Sequence, residues 1–181
     1  MTGAPSDAQL ITRMAAGEAL AFRLLVSRHL DRAHAIAMRV LHNREDAEEA
    51  VQDALSRVWR NATRFDPGRA AFSTWFYRIL ANAALDRLRR RPPMAEAVTD
   101  HEETLADGRP SAEDRSVEAG EARRIRAAVA QLPPQQRLAV ALCYFEDFTQ
   151  AEAARIMNVH IKALEALLFR AKANLKRRIA P

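Results

Sequence analysis

The chain has one cysteine, Cys143, among its 181 residues. A single thiol excludes an internal disulfide and any multi-cysteine metal site. Breakers are scarce. Five glycines and eight prolines make up about 7% of the chain, against roughly 12% in an average protein. Aromatic residues account for only 6%. The longest apolar runs fall far short of the roughly 18 residues that a membrane span needs. The opening residues, from Met1 to Gln9, lack the basic-then-apolar order of a secretory signal. There is no Gly-rich phosphate loop, no HExxH and no paired cysteine. His29 and His34 are five apart and so do not share the i, i+4 face of a helical metal pair, and His42, His101 and His160 are scattered. No catalytic centre, metal site or cofactor is expected. Cys143 lies in the apolar run 138–145 and reads as a small buried hydrophobe.

What remains is rich in alanine, leucine and arginine, with 49% hydrophobic residues. That composition predicts an all-α protein, soluble and cytoplasmic. The 28 basic and 23 acidic side chains give a net charge of +5, a weak hint of nucleic acid by itself. The distribution says more. Residues 1–91 carry 15 basic and 10 acidic groups, net +5; residues 92–122 carry 2 and 9, net −7; residues 123–181 carry 11 and 4, net +7. The acidic stretch opens on Pro92-Pro93 and has few large apolar residues, so burial there cannot offset the entropy of ordering. The expected organisation is two small helical domains, 1–91 and 112–181, joined by an acidic flexible linker over 92–111. Each core is modest, so some apolar surface is expected to meet a partner.

Prolines punctuate the periodic segments. A short helix is expected over 7–16. Phe22, Leu25, Val26, Leu30, Ala33, Ile36, Ala37, Val40 and Leu41 then mark one face of a long helix. Ala47, Ala50, Val51, Ala54, Leu55, Val58 and Trp59 mark the next. After the break at Phe65-Asp66-Pro67-Gly68, a third runs over 73–91. The second domain predicts helices over 112–131 and 134–146, one from the capping box Thr149-Gln150-Ala151-Glu152 to Met157, and a last over 160–178.

Three segments carry chemistry. Residues 149–172 have small Ala153 and Ala154 where two helices must approach, and Asn158 in the turn, where a left-handed backbone is tolerated. This is a helix-turn-helix pattern, whose second helix enters a major groove; an αα-hairpin in a bundle fits as well. Lys172, Lys176, Arg177 and Arg178 suit phosphate contacts. Residues 73–91 place Arg78, Asn82, Asp86 and Arg89 on one stripe, after the aromatic cluster Trp75, Phe76 and Tyr77. Cations interleaved with rings suit melted DNA, although each ring taken singly also fits a core. Residues 44–61 carry acids first and bases last, which complements the helix dipole and also leaves a face for protein docking.

Taken in order, these segments resemble an extracytoplasmic-function (ECF) sigma factor of bacterial RNA polymerase. The resemblance covers about residues 8–179. Glu45-Asp46-Ala47-Glu48-Glu49-Ala50-Val51-Gln52-Asp53-Ala54-Leu55-Ser56-Arg57-Val58-Trp59 is similar to the family's clamp-docking region. Phe72-Ser73-Thr74-Trp75-Phe76-Tyr77-Arg78-Ile79, preceded by Phe65-Asp66-Pro67-Gly68 and followed by Leu85-Asp86-Arg87-Leu88-Arg89-Arg90-Arg91, is similar to its promoter-melting region. Leu132-Pro133-Pro134-Gln135-Gln136-Arg137 resembles the opening of its fourth region.

The resemblance implies a transcription-initiation role without catalysis, in a stress or envelope response. Glu49, Gln52, Asp53, Arg57 and Trp59 would bind the polymerase clamp. Arg64, Arg69, Ser73, Trp75, Arg78, Asn82, Arg89 and Arg90 would bind the minus-ten element, with a pocket for a flipped base in the loop around 64–71 and the start of the next helix. His160, Lys162, Glu165, Ala166, Phe169, Arg170 and Lys172 would read the minus-thirty-five element, and the second domain would touch the polymerase flap. The acidic linker would enter the polymerase's basic channel, and an anti-sigma factor would be a further partner. The chain departs from the family's usual lysine, serine and arginine at Glu165, Ala166 and Leu167, and Asn158 replaces a glycine. A stand-alone helix-turn-helix regulator, or a sigma mimic that sequesters an anti-sigma factor, are the competing readings.

Overall fold

The computed structural model describes residues 4–90, 120 and 123–179. The expected linker over 92–111 and the start of the helix expected at 112 lie outside the described residues. Helices account for the described fold, and among the described residues there is no strand.

Local chemistry sets each boundary. Helix α1 (Asp7–Ala15) starts at a capping box: Ser6 Oγ accepts from the Gln9 N–H, and Gln9 Oε1 accepts from the Ser6 N–H. Helix α2 (Ala19–Leu41) stops at His42, which takes a left-handed backbone at φ 49°. Asn43 then caps α3 (Arg44–Asn61), its Oδ1 accepting from the Asp46 N–H at 2.8 Å. A 3₁₀ turn (Ala62–Arg64) and a loop lead to α4 (Phe72–Arg90). In the loop, Asp66 Oδ1 accepts from the Gly68 N–H at 2.9 Å, an Asx turn.

The second set comprises α5 (123–130), α6 (Pro134–Val140), α7 (Gln150–Met157) and α8 (Ile161–Ile179). Pro134 stands in the first turn of α6, where its missing N–H costs nothing. The helix expected to run on to 146 widens instead into a π turn (Ala141–Phe145), closed by the Glu146 N–H on the Ala141 carbonyl at 3.1 Å.

Two expected core positions emerge into solvent. Phe22, Val26 and Leu30 step by four, and each step carries the side chain about 40° further round the helix; by Leu30 the row has left the core. Trp59 is 42% exposed and meets Phe22 edge-on at 5.1 Å between ring centroids. Cys143 is half-buried, and burial pushes its thiol pKa up.

The apolar surface that each set was expected to keep for a partner is used first between the sets themselves. Tyr77 of α4, fully buried, meets Phe148 edge-on at 5.3 Å. The Arg32 guanidinium lies 3.8 Å from the Phe148 ring centroid. Glu146, whose side chain is only 10% exposed, pairs with Arg32 (3.3 Å) and with Arg39. Arg137, 7% exposed, reaches across to the Val40 carbonyl at 2.7 Å and binds the Ala130 and Leu132 carbonyls on its own side. Its charge sits at the carbonyl end of α2, where the helix dipole is negative. One continuous cluster of buried residues therefore runs through both sets.

Candidate nucleic-acid interface

Helix α3 presents an outer side on which Glu49, Gln52 and Asp53 are exposed, with Trp59 at its edge. Steps of three, four and seven keep these residues on one side. Glu49 is tied to Arg87 of α4 by an ion pair, so this side begins at the α3–α4 contact. Arg57 turns away from Trp59 and helps to line a cavity.

That cavity, about 290 Å³, is open to solvent and lined by Arg57, Asn61, Arg64, Trp75, Ile79 and Asn82. It lies where the end of α3 faces the start of α4. Trp75 is half-buried there, tilted against Phe65 at 5.1 Å and edge-on to Phe72 at 6.1 Å. The ring thus packs against two phenyl rings and also lines the cavity. Arg64 Nη1 donates to Asn61 Oδ1 at 3.4 Å. Two guanidinium groups, two amides and an indole converge on one concavity, which suits a polar flat ring held beside a phosphate.

Not every expected minus-ten residue joins this set. Trp75, Arg78, Asn82 and Arg89 share one stripe of α4, but Ser73 lies off it and is half-buried. Arg78 faces the second helical set, donating to Asn158 Oδ1 at 3.4 Å. Arg89 pairs with Asp86, Arg90 is exposed one residue on, and Arg69 is exposed in the loop.

The helix-turn-helix is present as α7, a turn and α8. Thr149 Oγ1 donates to Glu152 Oε2 at 2.7 Å and accepts from the Glu152 N–H, while the Thr149 N–H also donates to Oε2 at 2.9 Å. These bonds hold the Glu152 carboxyl below its ordinary range. Asn158 ends α7 in the left-handed region at φ 54°, as its tolerance of that backbone predicts. Ala153 and Ala154 are buried at the close approach, and Leu164, Leu167, Leu168 and Ala171 pin α8 beneath. His160, Lys162, Glu165, Ala166, Phe169, Arg170 and Lys172 all face solvent.

A network that periodicity did not suggest supports α4 from behind. His29 Nε2 donates to Asp7 Oδ2 at 2.6 Å, since a carboxylate there can only accept, and His29 Nδ1 faces the Tyr77 hydroxyl at 3.1 Å. Burial pushes Asp7 up, but bonds from Arg28 and His29 outweigh it and hold the carboxyl below its usual range. Burial pushes the Tyr77 hydroxyl to about 12. Among the described residues no group of three His, Cys, Asp or Glu gathers to hold a metal, and no helix is long and apolar enough to cross a membrane.

A family model for sigma-70 region 2 matches residues 25–92, and one for sigma-70 region 4 matches residues 122–175. The ECF RNA polymerase sigma factor SigM of Mycobacterium tuberculosis is 36% identical over 172 residues, covering 95% of this chain and 84% of the relative. The chain belongs to the ECF sigma factors. The solved structure of CnrH, in complex with the cytosolic domain of CnrY, superposes on this sigma factor with a TM-score of 0.69 at 26% identity, over 96% of each chain. The sigma factor RpoE of Bartonella quintana, in complex with the anti-sigma factor NepR, shares the fold with a TM-score of 0.64 at 22% identity, over 87% of this chain and 96% of that one. In this ECF sigma factor the cavity falls within the region 2 match, and the helix-turn-helix, apart from the last turn of α8, within the region 4 match.

Proposed function

We propose that this ECF sigma factor directs RNA polymerase core to specific promoters and opens them by binding, with no catalytic step of its own. The observation that carries this reading is the cavity lined by Arg57, Arg64, Trp75 and Asn82 in a chain that also carries a helix-turn-helix. Extruding a base costs a few kcal/mol. A concave site with a fixed ring and two cations recovers that cost only once the duplex has melted, which couples recognition to opening without a fuel.

On this reading, residues 1–91 bind the polymerase clamp and the minus-ten strand, and residues 112–181 read the minus-thirty-five element and touch the flap. Glu49, Gln52, Asp53 and Trp59 dock on the clamp. Arg57, placed in the cavity, acts with Arg64, Trp75 and Asn82 on the displaced strand. Arg78, Arg89 and Arg90 extend the path for its phosphates. The acidic segment 92–111 lies in the polymerase's basic channel. An anti-sigma factor restrains the protein until an envelope or stress signal arrives, and the active form works at the bacterial nucleoid in the cytoplasm.

The test is in vitro transcription with core polymerase and fragmented genomic DNA. Discrete start sites that share two upstream elements are expected. Absence of initiation by the folded, unrestrained protein would refute the reading.

A further inference from the structure

The solvent side of α8 has an acid, Glu165, in its second turn. Lys162, Glu165, Ala166 and Phe169 are spaced i, i+3, i+4 and i+7 and are all exposed. Arg170 and Lys172 lie on opposite flanks of this stripe. Leu164, Leu167, Leu168 and Ala171 are buried on the other side, so rotation of the helix cannot exchange the two faces. A groove that receives α8 therefore meets the stripe with base edges, while its two phosphate ridges meet the flanking cations.

Within the stripe, Lys162 Nζ lies 3.2 Å from Glu165 Oε2. The pair stays accessible, with the lysine side chain 87% exposed and the glutamate 44%. Phe169, at 76%, is the most exposed large hydrophobic residue among those described. A carboxylate can only accept hydrogen bonds, and in the major groove the donors are the amino groups of cytosine and adenine. Adenine sets its N7 acceptor beside its amino group, which repels a carboxylate. A G·C pair sets guanine O6 and N7 beside the cytosine N4 donor, which matches an adjoining lysine and glutamate. An exposed phenyl ring offers only apolar contact, and the apolar group in that groove is the thymine methyl.

We infer that Glu165 is a specificity-determining residue of the upstream reading helix, selecting cytosine through its N4 amino group. Lys162 takes the acceptors of a neighbouring guanine, and Phe169 covers a thymine methyl one helical turn further on. This rests on the reading of α8 as the minus-thirty-five element's partner.

A promoter library randomised across the upstream element, transcribed by core polymerase with the full chain, tests it by sequencing the transcribed templates. The wild type should enrich cytosine at one position by about ten-fold or more. Glu165→Gln should lose that preference and move toward adenine, which an amide can bond at N6 and N7 together. Glu165→Lys should lose it as well, and Phe169→Ala should weaken a thymine preference nearby. Variant profiles identical to wild type overturn the inference while leaving the sigma reading intact. A wild type that initiates with no upstream preference overturns the reading of α8 itself, and no initiation at all overturns both.

Discussion

The Glu146 carboxylate lies between the guanidinium groups of Arg32 and Arg39, more than 100 residues earlier in the chain. One acid thereby fastens the second helical set to the long helix of the first. Charge reversal by Glu146→Lys should weaken this contact by about 1–2 kcal/mol, since both arginines are part-solvated and screened. The equilibrium then moves roughly ten-fold toward separated sets. Small-angle scattering should register a larger radius of gyration that falls again with Arg39→Glu in the same chain. An unchanged radius in both would show that the apolar contact of Tyr77 with Phe148 suffices alone.

Arg137 predicts a larger effect. Its guanidinium satisfies three carbonyls at once, those of Val40, Ala130 and Leu132. Arg137→Ala leaves them buried and should cost about 3 kcal/mol, near 1 kcal/mol per orphaned acceptor. Arg137→Lys should recover little, because one ammonium cannot span acceptors arrayed for a planar fork. Urea titration followed by circular dichroism measures both.

Acid should loosen the fold at two places. The Asp7 and Glu152 carboxyls are held below their ordinary values in the folded chain. Their contribution is thus complete above the unfolded carboxyl range and is lost as pH falls through the lower folded values. Thermal melts from pH 7 down to pH 3 should show a falling Tm. Asp7→Asn and Glu152→Gln should each start lower at pH 7 and slope less steeply. A slope identical to wild type in both would place the acid sensitivity elsewhere.

Trp75 offers a direct probe of the cavity. With Trp59→Phe as background, the remaining indole reports on that site alone. Titration with a single-stranded minus-ten oligonucleotide should change its emission. Trp75→Ala should weaken binding by about 1–3 kcal/mol, the usual worth of a base stacked on an aromatic ring. Measured by anisotropy, that is roughly five- to 150-fold. An unaltered affinity would remove the indole from the strand path.

Much of this was legible in the residues. The helix starts at Ser6, Asn43 and Thr149, and the stop at Asn158, are written in short-range chemistry that a reader of the sequence can see. The family resemblance supplied the roles. What the sequence hid was long-range. Nothing near Glu146 announces that Arg32 and Arg39 are its partners, because helical periodicity reports which side of a helix is apolar and not what lies against it. Arg137 follows a double proline in a polar start and gives no sign of burial. The unbroken apolar run 138–145 cannot signal that its hydrogen bonds widen to a π turn. The resemblance assigns Arg57 to the clamp together with Trp59, and only the structure shows that it also lines the cavity with Trp75.

Asn158 occupies the turn of the helix-turn-helix and also receives the Arg78 side chain. On the proposed function, Arg78 is wanted by a nucleic-acid strand as well. A strand that draws Arg78 toward its phosphates therefore pulls on a contact between the two helical sets, so strand capture favours their release. A glycine in that turn would keep the backbone and drop the competitor, leaving a protein that parts from itself more readily before any DNA arrives.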